Sequence, residues 1–268
     1  RLPALSIRNI KKKFGGVQAL DGINLSVSPG QVVGIIGSNG SGKTTLLDVC
    51  SGLTIPDTGT VGIFGKEVNR LRPHERAFLG LGRVFQNTPL FPSVSVLDAV
   101  SIALETRVKV RDPFADALRL HDSVASERDI RKLALAALNE VGLSAWKDNL
   151  VSELSTGLRR LLEIACVLAH RPRLLLLDEP SAGIAQRERG PLAEVIAGLK
   201  STTGATCVVV EHDIPLISRI ADHLVCLHLG TVLAQGLPKD VLTDQAVIDS
   251  YLGIAQPLDL ENLEQSNR

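Results

Sequence analysis

Two groups of residues in this chain have the types and spacing of phosphate chemistry. The first is Gly37, Ser38, Asn39, Gly40, Ser41, Gly42, Lys43, Thr44 and Thr45. Two glycines with four residues between them, followed by Lys and Thr, form the pattern of a phosphate-binding loop. Residues 31–36 before it are a short apolar, β-branched run suited to a buried strand, and residues 44–50 continue as a helix. In that geometry loop amides and the helix N-terminus point at an anion, so a polyphosphate is held mainly by backbone N–H groups. Gly37, Gly40 and Gly42 let the backbone approach closely, Lys43 reaches the β- and γ-phosphates, and Thr44 places its hydroxyl on Mg²⁺. An ordinary Gly/Ser turn would need neither the strand before nor the helix after.

The second group is Asp178 and Glu179, which close the apolar run 174–177 and precede Pro180. Asp178 is placed to hold Mg²⁺ through its water shell, and Glu179 to accept a hydrogen bond from an attacking water. Alone, Asp-Glu-Pro after a strand is a turn and helix start; downstream of a phosphate loop it acquires a partner. Three further candidates have ordinary readings when taken singly. Gln86 follows an apolar stretch and could touch metal or water, but exposed glutamines are common. His212 follows the run 205–210 and could donate to the γ-phosphate, or be a polar strand end. Ser155 and Gly157 open a helix with an apolar stripe at Leu158, Leu161, Leu162, Ala165 and Ala169, a simple N-cap or a second anion site.

These residues need a framework, and the chain supplies an α/β one. The first thirty residues alternate apolar and polar with turns at Gly15-Gly16 and Pro29-Gly30, predicting antiparallel strands. A hairpin-like stretch follows around residues 59–64. Residues 94–103, 130–141 and 156–169 show helical periodicity, and near-continuous apolar runs at 173–177 and 205–210 predict parallel strands covered on both faces. The expectation is a nucleotide-binding core of the RecA-like P-loop type over residues 1–87 and 171–253. It carries an antiparallel β subdomain and is interrupted by a helical subdomain over about 88–170. Residues 254–268 are expected to form a loose polar tail.

Composition narrows the function classes. Of 268 residues, 44% are apolar, enough for a real core, and 29 basic residues balance 29 acidic ones. A binder of nucleic acid that relies on a broad basic surface needs an excess of Lys and Arg, and 3% aromatics leave little for base stacking. No nucleic-acid partner is expected. The cysteines Cys50, Cys166, Cys207 and Cys226 are widely spaced and read as small apolar residues in a reducing compartment. No apolar run reaches the ~18 residues of a membrane-crossing helix. A chain that begins at Arg1 and has no methionine is expected to be trimmed, or cut from a longer polypeptide.

The order of the pieces is specific: phosphate loop, Gln86, the Ser155-Thr-Gly157 cap, Asp178-Glu179, then His212. Together they resemble the ATP-binding subunits of ATP-binding-cassette (ABC) transporters, over the chain to about residue 253. The resemblance implies that residues 154–158 are the signature motif, Gln86 the Q-loop residue touching Mg²⁺, His212 the switch histidine and residues 181–185 the D-loop. It places Phe14 against adenine and Ser155 and Gly157 on the γ-phosphate of an opposing subunit. Residues 14–16, 83–91 and 95–100, the insertion 105–132 and residues 251–253 are most similar to importers of branched-chain amino acids. Urea importers and a lipopolysaccharide-export ATPase share parts of that pattern. The implied assembly pairs this chain with a second ABC ATPase, alike or different, and with transmembrane permease subunits. It stands on the cytoplasmic face of the membrane, with ATP and Mg²⁺ as ligands and a solute-binding protein as indirect partner. A soluble ABC ATPase acting on DNA or ribosomes would be expected to carry coiled coils, tandem cassettes or basic surfaces. A small-molecule kinase has no use for Ser155, Gly157 or His212. Two positions depart from the family pattern: Leu158 stands where Gln is usual, and Ala185 where Asp or Asn is usual.

Overall fold

The computed structural model describes residues 2–85, 90–105 and 120–252, with side chains except at 120–126 and 252. The chain divides into two compact units. The first comprises Arg1–Arg83, Arg173–Pro180 and the chain from Gly204 on; the second comprises Val84–Pro172 and Ser181–Thr203.

The first unit is built on two sheets. The alternating N-terminal residues form strands β1 (Leu5–Phe14) and β2 (Val17–Val27), paired antiparallel from Leu5 opposite Val27 to Phe14 opposite Val17. With β4 (Thr58–Ile63) and β5 (Lys66–Glu67) they make a four-stranded sheet in the order β2-β1-β4-β5. The second sheet has six strands among the described residues. Its centre is β3 (Val32–Gly37), parallel both to β8 (Thr206–Val210) and to β9 (His223–His228). Strand β7 (Leu174–Asp178) runs parallel to β8 with Asp178 opposite Val210. At the edges, β6 (Leu81–Val84) lies beside β7, and β10 (Thr231–Gly236) pairs antiparallel with β9. Every residue of β3, β7 and β8 is buried, the condition that makes a parallel strand read as one apolar run.

The helix Lys43–Ser51 contributes Leu46, Leu47 and Val49 to a core shared with Val33, Ile35, Leu174, Leu176 and Val208. The helix Ile214–Ile220 lies so near β3 that a Cβ on Gly34 would sit 2.6 Å from Ile217 Cγ1. The sequence reading names two late strands where the described residues form four. In β9 the apolar run is only Leu-Val-Cys-Leu between histidines, too short for periodicity to separate strand from helix. The cysteines are free, Cys50, Cys207 and Cys226 fully buried, and burial pushes the thiols of Cys50 and Cys207 up to about 12.

The second unit is helical: Val96–Glu105, Leu120–Glu140, Thr156–Leu168 and Gln186–Thr202. Val96, Val100, Ala134, Leu138, Leu161, Leu162 and Ala165 are buried. Helix Gln186–Thr202 groups with this unit, although the sequence reading assigns its residues to the core.

Candidate functional site

The loop between β3 and the helix Lys43–Ser51 takes its shape from glycine. Gly40 and Gly42 have φ of 79° and 101°, a region closed to most side chains. A Cβ at Gly42 would stand 2.5 Å from the Ala19 carbonyl, whereas at Gly40 it would meet nothing within 4 Å. The loop is tight at its base and open at its crest. Its base is pinned from the β9–β10 turn, where Gly230 N–H donates to the Ser41 carbonyl at 3.1 Å and the Asp21 N–H donates to the Gly230 carbonyl at 2.7 Å. Lys43 is 5% exposed, and its ammonium donates to the carbonyls of Gly37 at 2.8 Å and Ser38 at 2.9 Å. Burial lowers its pKa, opposed by the charges of Glu179 and Asp178. Ser38 and Thr45 are half-buried, Asn39 and Thr44 exposed. The buried Ser41 Oγ has no hydrogen-bond partner among the described residues. An open crest of amides beside a buried cation and an orphaned hydroxyl fits a polyphosphate.

Parallel pairing of β7 with β8 brings Glu179 to His212, with Asp178 at the end of β7 beside it. Glu179 adopts φ 48°, with its N–H on the Val210 carbonyl at 2.9 Å. Its Oε1 lies 2.7 Å from His212 Nε2. Glu211, 1% exposed, turns the chain for this contact by accepting the N–H groups of His212 at 3.0 Å and Asp213 at 3.3 Å. Burial raises the Asp178 pKa, and the guanidinium of Arg83 opposes the rise. Thr44, an exposed residue, and Asp178 supply a hydroxyl and a carboxylate, donors of the kind suited to Mg²⁺, which takes few protein ligands and keeps water and phosphate oxygens as the rest.

Phe14 ends β1, 51% exposed, with Lys12 Nζ 5.3 Å from its ring centroid. Lys12 is itself held by Asp57 at 2.9 Å. Ser155 and Gly157 lie in the second unit. Ser155 caps the helix Thr156–Leu168, its side chain accepting from Leu158 N–H at 3.3 Å, and a Cβ on Gly157 would stand 3.0 Å from Glu188 Oε2. Gln86 lies outside the described residues. The first unit thus gathers Lys43, Asp178, Glu179 and His212. Arg83, Arg76 and Glu211 have structural roles around them that the sequence reading did not assign. The available signal was a charged residue inside or beside a short apolar run, which must find a partner when buried.

The ABC transporter family model matches residues 20–182. The high-affinity branched-chain amino acid transport ATP-binding protein BraF of Pseudomonas aeruginosa is 35% identical over 253 residues, 94% of this chain and 99% of that protein. The crystal structure of the ADP conformation of an ATP-binding cassette of an ABC transporter is 31% identical with a TM-score of 0.80, covering 94% of this chain and all of that one. The dimeric structure of a bacterial ABC transporter cassette is 26% identical with a TM-score of 0.71, over 87% of this chain and 98% of that one. With the loop, the paired acids and the histidine in that order, the chain belongs to the ABC transporter family, as an ATP-hydrolysing cassette.

Proposed function

We propose that this cassette uses Mg²⁺ and ATP to power import of branched-chain amino acids or similar solutes, paired with a second cassette and docked on membrane permease subunits at the cytoplasmic face. The observation that carries the catalytic half is the 2.7 Å contact between Glu179 and His212, in the unit that also holds the phosphate loop. Lys43 and the loop amides bind the β- and γ-phosphates, Phe14 offers its exposed face to adenine, and Thr44, Gln86 and Asp178 serve the metal. Bound Mg²⁺ supplies charge neutralisation for the phosphates. Glu179 orients water toward the γ-phosphorus; water attacks, and ADP and inorganic phosphate leave. His212 Nε2 faces Oε1 of Glu179 and steadies that carboxylate; with ATP bound, the ring would turn that N–H from Glu179 to the γ-phosphate. Ser155 and Gly157 present their helix N-terminus to the nucleotide of the opposing cassette.

Likeness to BraF over nearly the whole chain supports the solute class, and likeness to a dimeric cassette supports the pairing. The test is reconstitution with a second cassette, the permease subunits and a solute-binding protein in vesicles. ATP-dependent uptake of leucine is the expected result. An assembly that hydrolyses ATP but moves no branched-chain amino acid would overturn the solute assignment.

A further inference from the structure

Arg83 on β6 is a buried cation divided between two acids. Its side chain is 5% exposed. Nη1 donates to Asp48 Oδ1 and to Ser51 Oγ, each at 2.7 Å, and Nη2 donates to Asp178 Oδ2 at 3.1 Å. Asp48 and Ser51 belong to the helix that opens with Lys43 and Thr44, while Asp178 closes β7 one residue before Glu179. The two acids differ in setting: the Asp178 side chain is 6% exposed and that of Asp48 30%. A buried carboxylate beside a fixed guanidinium has its orientation set and part of its charge balanced before any ligand arrives.

We propose that Arg83 is a positioning residue that sets how strongly Asp178 attracts the metal, and that Asp48 tunes this by competing for the same guanidinium. The inference rests on Asp178 being the metal-side acid. Arg83 holds Oδ2 and so fixes the orientation of the Asp178 carboxylate. Its charge offsets that of Asp178, so the site does not repel the phosphates before metal is present. Asp48 draws part of that charge toward the helix, so less of it reaches Asp178.

The account makes two substitutions move in opposite directions. Arg83→Gln keeps a donor for Asp178 and removes the charge, so metal binds more tightly. Asp48→Asn removes the competing charge, so more of the guanidinium's charge acts on Asp178 and metal binds more weakly. A role in stability only would lower the melting temperature in both and move metal binding in neither.

The experiment measures Mn²⁺ binding by electron paramagnetic resonance, with full-length protein and a non-hydrolysable ATP analogue. Half-saturating Mn²⁺ should fall by about fivefold in Arg83→Gln and rise by about threefold in Asp48→Asn, the scale of one partly screened charge. Arg83→Lys should stay near wild type. If Arg83→Gln does not fold, Asp48→Asn decides alone. Unchanged binding, or a shift of both variants in one direction, would overturn the inference, provided Asp178→Asn still weakens Mn²⁺. If Asp178→Asn leaves Mn²⁺ binding unchanged, the assignment of Asp178 fails and the inference with it.

Discussion

Arg76 is the most demanding test of how the nucleotide loop is held, because it acts at the far end of the loop's helix. It is 1% exposed, on the short helix Pro73–Phe78. Its Nη1 donates to the carbonyls of Val49 at 2.6 Å and Cys50 at 2.8 Å, and its Nε donates to that of Leu71 at 3.0 Å. Val49 and Cys50 lie in the last turn of Lys43–Ser51, where carbonyls lack partners within the helix and the dipole is negative. Gly52 ends that helix at φ 84°, and a Cβ there would stand 2.7 Å from Arg76 Nε. Arg76→Met keeps most of the stem and removes all three donors. Hydrogen bonds from a charged group contribute about 1.5–3 kcal/mol each. They share one guanidinium and do not add fully, so the expected loss is about 3–5 kcal/mol. For a chain of this size each kcal/mol lowers the melting temperature by about 2–4 °C, giving a fall of about 6–20 °C. Thermal melts followed by circular dichroism measure it, with Arg76→Lys expected between the two. A fall of less than about 2 °C in Arg76→Met would refute the claim that this guanidinium secures the helix end.

Three further outcomes follow from the same geometry. Lys43→Ala removes the buried ammonium of the loop, and affinity for a fluorescent ATP analogue should fall by about 100-fold, the equivalent of one strong charge-assisted hydrogen bond. Ala185 occupies the N-cap of Gln186–Thr202 with φ −60°, ψ 142° and no side-chain bond; Ala185→Asp should therefore stabilise the protein by about 1 kcal/mol in denaturant unfolding. Asp178 has a pKa raised by burial, so the folded state holds a proton that the unfolded state has lost. That advantage is fully present below the unfolded-state pKa and is lost as pH rises through the raised folded-state pKa. At neutral pH ionised Asp178 therefore opposes folding, and Asp178→Asn should raise the melting temperature of the ligand-free protein while abolishing turnover.

The parts of the site legible in sequence are those whose chemistry is local. Gly40 and Gly42 take positive φ because a turn that exposes amides requires it, and that need is written as glycine in the chain. Strands β7 and β8 are buried on both faces and read directly as apolar runs. Ser155 is a cap whose hydroxyl accepts from an N–H three residues away. What stayed hidden is pairing at long range. Arg83 finds Asp48 and Asp178 at separations of 35 and 95 residues, and nothing near Arg83 in the chain announces either. Arg76 likewise closes on a helix end 27 residues upstream. The Glu179–His212 contact needed the register of β7 on β8, which follows from the sheet and not from either residue's neighbours.

Glu179 carries the central claim, that this site hydrolyses ATP by orienting water with one carboxylate. Glu179→Gln preserves shape and removes the base. Steady-state phosphate release by the purified variant, alongside its affinity for ATP, is the direct measurement. General-base catalysis contributes about 10²–10⁴-fold, so turnover should fall by at least about 100-fold with ATP binding intact, and dimers should accumulate with MgATP in gel filtration. Turnover within about twofold of wild type, far inside the 10²-fold floor for such a base, would contradict the account.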